Sequence, residues 1–202
     1  LLGDTLEQIA LEKAGIIKPN AITISAEHEP NISIIKQAEL NHAPLLHAQK
    51  DFQYTQLTED TWHYSNANAS MTLPMPKLKG MHQLQNSATA ITALLNSPLK
   101  DKLTQSIIAD GLLNTQLKGR FEQVLFENKE IYFDVTHNPQ GAAILHQLLE
   151  PYRDQHRNII AVLGMLKDKD AANFVGALKD DIDTWVLASI DGDRGQTAQE
   201  LK

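Results

Sequence analysis

Cysteine is absent from this 202-residue sequence, which excludes disulfide frameworks and cysteine-based zinc or redox centres. No apolar run is long enough to span a bilayer, and no signal peptide opens the chain. Basic side chains are outnumbered, with 18 Lys and Arg against 25 Asp and Glu, for a net charge of −7. With no basic stripe to release counterions, this balance argues against a nonspecific grip on nucleic acid. Several catalytic signatures are missing too. The histidines at 28, 42, 47, 63, 146 and 156 show no HExxH or other zinc-ligand spacing, no GxSxG supplies an esterase elbow, and no GxGxxG follows a strand. There is also no GxxxxGK[ST] phosphate loop. The lack of cysteine, of a membrane-length apolar run and of a signal peptide favours a cytoplasmic protein.

What is present suits a folded α/β protein. The 42% hydrophobic content supports a buried core, the 21% charged content is ordinary, and the length allows one large domain or two small ones. Leu1–Pro19 has the grammar of a capped amphipathic helix. Thr5 and Gln8 make a capping box, and Gly15 suits a left-handed stop. Leu6, Ile9, Ala10 and Ala14 share one face, with Lys13 in the middle of that stripe. Two readings of Lys13 stand side by side. Its stem can run along the core edge to put the ammonium in water, or burial can favour a neutral, reactive amine. Glu12 belongs to the polar face.

Short strands are expected at 21–25 and 44–48, with Pro30 in the first turn of a helix between them. A hairpin is expected over 52–65, then an edge strand or connector over 71–77, limited by its two prolines. A helix follows Gly80 to about Leu95, with Leu84, Ala88, Ile91 and Leu95 inward and Asn86 off that stripe; a further helix is expected at about 102–113. Beyond Leu117, strands at 121–126, 130–135, 158–163 and 184–190 alternate with helices at 139–152 and 170–178. That alternation implies right-handed crossovers and a largely parallel sheet. In Asp134–Pro139, Asp134 ends a strand, Asn138 caps a helix and Pro139 takes its first position. The loop would then lie at the carboxyl edge of a parallel sheet, beside free helix N–H groups. Capping alone explains Asn138 but gives Asp134 and His137 no particular task.

Four ordered landmarks resemble the folylpolyglutamate synthase/dihydrofolate synthase branch of the Mur ligase family: LGDTLEQIALEKAGI, HQLQNSATA, GRFE followed by DVTHNP, and GMLKDKD. Ser87 and Thr136 stand where alanine is more usual. LASIDGDRG at 187–195 fits the next strand and loop. The resemblance implies an α/β fold made of the remainder of an ATP-binding central domain, residues 1–117, and a Rossmann-like C-terminal domain, residues 118–202. It implies a carbamylated, catalytic Lys13 acting as a magnesium ligand. Asn86 is then assigned to the adenine of ATP, Arg120 to its phosphates, Asp134 to its ribose side, and His137 to the same catalytic site. The implied reaction is ATP-dependent addition of L-glutamate to dihydropteroate or a tetrahydrofolate polyglutamate, through an acyl phosphate, by a cytoplasmic monomer with no nucleic-acid or membrane partner. The alternatives are a peptidoglycan-precursor Mur ligase, disfavoured by EKAGI, and a nonenzymatic nucleotide-binding module. The chain starts at Leu1 without methionine and ends at 199–202 in what reads as a new helix, so the expectation is an internal fragment, inactive alone, of a longer enzyme.

Overall fold

The computed structural model describes residues 5–155 and 157–202. They fall into two compact units divided between Gln116 and Leu117.

In the first unit, helix α1 (Leu6–Ala14) opens with the predicted box: Gln8 N–H donates to Thr5 Oγ1 at 3.2 Å, and Thr5 N–H to Gln8 Oε1 at 3.3 Å. Its end differs from the expectation. Gly15 is right-handed (φ −59°), and N–H groups of Gly15, Ile16 and Ile17 bond three residues back, so the helix tightens rather than reverses. Strand β1 (Thr23–Ser25), helix α2 (Ile32–Leu40) and strand β2 (Leu45–His47) form a parallel crossover, Thr23 opposite Leu45. Asn31, whose Oδ1 accepts from Ser33 N–H at 2.9 Å, caps α2. Pro30 therefore lies outside the helix, because the Asx cap already supplies its first acceptor.

Strands β3 (Phe52–Gln56), β4 (Thr61–Asn66) and β5 (Ser70–Pro74) make an antiparallel meander in that order. Pro74 ends β5, an edge strand, where a missing N–H is tolerated. Helix α3 (His82–Leu95) packs on β3 and β4, and α4 (Gln105–Asn114) on β5. The last helix starts later than predicted. Lys100–Lys102 forms a short 3-10 turn, and Thr104 then caps α4 by accepting from Ile107 N–H. Phe52, Trp62, Tyr64, Leu73, Leu84, Ala88 and Ile91 fill the core. Trp62 is fully buried yet satisfied, its Nε1–H donating to Pro74 O at 2.9 Å.

In the second unit, β6 (Glu122–Phe126) and β7 (Lys129–Phe133) pair antiparallel. Their two-residue turn, Glu127–Asn128, has φ of 48° and 63°, the left-handed pair that a type I′ hairpin requires. Helix α5 (Pro139–Asp154) follows, then β8 (Ile160–Leu163), α6 (Ala171–Leu178) and β9 (Thr184–Leu187). β8 and β9 pair in parallel, as the alternating pattern demands, but β6–β7 is a separate antiparallel hairpin, so the described strands of this unit form two two-stranded sheets rather than one largely parallel sheet. The α/β class is as expected. Ala142, Leu149, Leu163, Met165, Phe174 and Leu178 form this unit's core. At 197–200 there is a turn in which Glu200 and Thr197 cap each other. No helix among the described residues is long and apolar enough to cross a membrane.

Candidate functional site

Lys13 sits in the last turn of α1, and it is exposed. The expectation that the stripe would desolvate it does not hold. The buried line is Ala10, Ala14 and Ile17, while Leu6 is 74% exposed. That line faces α2, the element with which α1 makes its contacts, and Lys13 lies to one side of it.

The HQLQN stretch opens α3. Gly80, left-handed at φ 104°, leaves room for the His82 ring, which a β-carbon there would meet at 2.6 Å. Gln83 is buried and works in both directions. Its Nε2 donates to His82 Nε2 at 2.9 Å, and its Oε1 accepts from Asn86 Nδ2 at 3.2 Å. Asn86 itself is exposed. Gln85 Nε2 donates to Ala26 O, fastening the helix to the segment after β1. Gln83 belongs to the HQLQN motif but, like Gln85, carries no structural role that its sequence spacing reveals. No hydrogen bond or ion pair joins Lys13 to Asn86 among the described residues.

The two motifs of the second unit meet through one carboxylate. Asp134 Oδ2 accepts from Phe121 N–H and its Oδ1 from Thr136 N–H, both at 2.8 Å. Val135 N–H returns to Gly119 O at 3.0 Å. Asp134 thus ties the turn carrying Arg120 to the turn carrying His137. It lies just past β7, which ends at Phe133 and pairs with antiparallel β6, so the expected position on a parallel strand is corrected. The Arg120 turn is unusual. Gly119 (φ 67°) and Phe121 (φ 48°) are both left-handed, and a β-carbon on Gly119 would meet Val135 Cγ1 at 2.6 Å. For phenylalanine that conformation costs roughly 1–2 kcal/mol. The Phe121 ring is buried and stacks on Tyr132 with centroids 4.7 Å apart, a contact worth about 0.5–1.5 kcal/mol beyond its area, which offsets the strain. Tyr152 extends the stack, its hydroxyl donating to that of Tyr132 at 2.8 Å. Burial and this neighbour raise the Tyr132 pKa, so the phenol stays protonated.

Arg120 is exposed and makes no hydrogen bond or ion pair among the described residues. His137 is also exposed. Its Nδ1 lies 2.9 Å from Val135 O, and because a carbonyl can only accept, Nδ1 carries the proton and Nε2 is free. Asn138 caps α5 as predicted, accepting from Gly141 N–H at 2.7 Å, with Pro139 in the first turn. A β-carbon on Gly141 would lie 2.5 Å from Thr136 Cγ2.

The GMLKDKD loop after β8 is joined to the loop after β9 by Arg194, which bonds both oxygens of Asp168. The sequence offered no signal for that pairing. Among the described residues, no three His, Asp or Glu side chains group as a metal site.

Residues 119–202 match the family model described as Mur ligase, glutamate ligase domain. The dihydrofolate synthase/folylpolyglutamate synthase of Escherichia coli (strain K12) is 35% identical over 201 residues, which is 99% of this chain and 46% of that protein. The solved Escherichia coli FolC in complex with DHPP and ADP is 34% identical, with a TM-score of 0.86 over 99% of this chain and 46% of its own. A bifunctional folylpolyglutamate synthase/dihydrofolate synthase with Mn, AMPPNP and L-glutamate bound is 32% identical, with a TM-score of 0.82 over 100% of this chain and 47% of its own. The chain spans about half the length of the relatives it matches. Residues 119–202 thus match the glutamate ligase domain of Mur ligases, and the chain as a whole is similar in sequence and fold to about half of the dihydrofolate synthases/folylpolyglutamate synthases.

Proposed function

We propose that the protein is an ATP-dependent ligase that joins L-glutamate to dihydropteroate or a folylpolyglutamate, acting as a cytoplasmic monomer. The observation that carries this reading is the Arg120 guanidinium, unpaired among the described residues and held on a turn that Asp134 ties to the His137 loop. A guanidinium left without a carboxylate partner is suited to phosphate oxygens, which it can grip with two parallel N–H bonds. Asn86 is assigned to the adenine and Asp134 to the ribose side of ATP. Each oxygen of Asp134 spends one lone pair on a backbone N–H and keeps another for a hydroxyl.

The reaction transfers the γ-phosphoryl group to the free carboxylate of dihydropteroate, or of the terminal glutamate of a folylpolyglutamate. The glutamate amine then attacks the acyl carbon, forming the amide and releasing phosphate. Arg120 stabilises the charge that spreads over the phosphoryl oxygens. His137, with Nε2 free, accepts the proton that the attacking amine gives up. Lys13, as its carbamate, would supply oxygen donors for magnesium, a hard cation that would neutralise the phosphates. The described residues do not complete a coordination sphere around such an ion. The sequence also carries no phosphate loop, and these 202 residues alone are expected not to ligate glutamate.

Lys13 supplies the test in the full-length protein. Lys13→Ala is expected to lose most ligase activity at unchanged thermal stability, because the side chain is exposed and its stem packs little. Added short carboxylates should restore part of it. Lys13→Arg should stay inactive, since a guanidinium forms no carbamate. Full activity in the arginine variant would mean that positive charge suffices and the carbamate is absent.

A further inference from the structure

Every anchor of the Arg120 turn lies on its neighbours. Glu122 Oε2 accepts from Gly119 N–H at 2.9 Å, and Asp134 Oδ2 accepts from Phe121 N–H at 2.8 Å. These two donors flank Arg120 on either side, and both belong to left-handed residues. The Phe121 ring, buried against Tyr132, holds the same turn from below. Glu122 opens β6, so its backbone is fixed by the hairpin, with Glu122 opposite Phe133.

The arrangement is electrostatically selective. Glu122 is two residues from Arg120, and an acidic side chain so near a free guanidinium would ordinarily pair with it. Instead the Glu122 carboxylate is turned onto a backbone N–H, and so is that of Asp134. Neither carboxylate forms an ion pair with Arg120 among the described residues, so the guanidinium is left for an incoming anion. The same bond fixes the backbone at Gly119, and with it the direction in which the Arg120 side chain leaves the turn.

We propose that Glu122 is a positioning residue for nucleotide binding, acting through Arg120. The inference rests on the assignment of Arg120 to the ATP phosphates. A positioning role requires an acceptor at the Glu122 place rather than a charge, so glutamine, which keeps that acceptor, should replace it while alanine should not.

The test is calorimetric titration of AMPPNP into the full-length protein and its variants. Glu122→Ala is expected to weaken binding about tenfold, and Glu122→Gln to stay within about twofold of the parent. In the Arg120→Ala background, Glu122→Ala should cause no further loss, because the group it positions is gone. Parental affinity in Glu122→Ala, or a loss that adds in full to that of Arg120→Ala, overturns the proposal. Should the alanine variant not fold, Glu122→Asp carries the test. It keeps the charge but shortens the reach, so weakened binding supports the proposal and parental binding overturns it. Failure of the underlying assignment shows separately: Arg120→Ala alone would then bind AMPPNP as the parent does.

Discussion

Arg194 grips both oxygens of Asp168, with Nη2 at 2.8 Å from Oδ1 and 3.0 Å from Oδ2. Arg194 Nε donates to Oδ1 at 3.2 Å, Lys169 Nζ adds a further contact at 3.1 Å, and Lys167 N–H donates to Arg194 O nearby. The pair therefore closes the loop after β8 onto the loop after β9.

The Asp168 carboxyl titrates at about 2 rather than 3.8, held down first by the Arg194 hydrogen bonds and then by Lys169. A depressed folded value contributes stability that is fully present above the ordinary carboxylate range and is lost as pH falls through about 2. Asp168→Asn should therefore melt below the parent at pH 6, and the gap should close between pH 4 and pH 2, roughly the window between the two values. Thermal melts across that range check it. A gap that persists unchanged at pH 2 would show that Asp168 acts through packing rather than charge.

Asp181 offers a buried counterpart. Its carboxylate is fully enclosed and accepts from Arg153 and from His146 Nδ1, at 2.8 Å and 3.0 Å to its two oxygens, so a residue just past α6 is fastened to α5. Asp181→Ala leaves Arg153 without its partner. Breaking a buried pair costs about 3–5 kcal/mol, and the 27% exposure of Arg153 brings the expectation to about 2–3 kcal/mol. Urea unfolding of the variant measures it. A double replacement, Asp181→Leu with Arg153→Met, should recover most of the loss, because apolar groups of similar volume need no partner.

In the first unit, Tyr64 OH lies 2.9 Å from Thr92 Oγ1 and accepts from Asn66 Nδ2 at 3.0 Å, inside the core between β4 and α3. Desolvation raises its pKa, which keeps the hydroxyl proton available for bonding. Tyr64→Phe keeps the ring but removes the oxygen, and should cost about 1 kcal/mol. Thr92 still donates to Ala88 O in that variant. Thr92→Val and Tyr64→Phe together should then cost less than their sum, read from a double-mutant cycle in urea.

Local signals in the sequence carried much of the fold. The Thr5–Gln8 box, the Asn138–Pro139 start of α5, the β3–β4 hairpin and the β8–α6–β9 crossover all depend on residues close together in the chain. What escaped was set by geometry over longer distances or by one helix face. Lys13 read as part of an apolar stripe, yet α1 buries only a narrow line against α2, and a periodicity argument has no means of measuring that width. The Asp168–Arg194 and Asp181–Arg153 pairs join residues 26 and 28 apart, where spacing says nothing. Glu122 looked like a charge at the start of a strand. Its bond to Gly119 depends on two left-handed residues, one of them a phenylalanine whose conformation the chain does not advertise.

The contact between Thr136 and Gly141 bears on how this loop can vary among relatives. A β-carbon at Gly141 would lie 2.5 Å from Thr136 Cγ2, so the methyl of one residue occupies the room that the other leaves empty. Threonine at 136 and glycine at 141 are thus sterically coupled. With threonine at 136, a side chain three places after Asn138 would require the threonine methyl to move. A lineage with alanine at 136 is released from that requirement and is free to place a better helix former at 141. The two positions should change together across the family, a coupling written into the spacing of one cap.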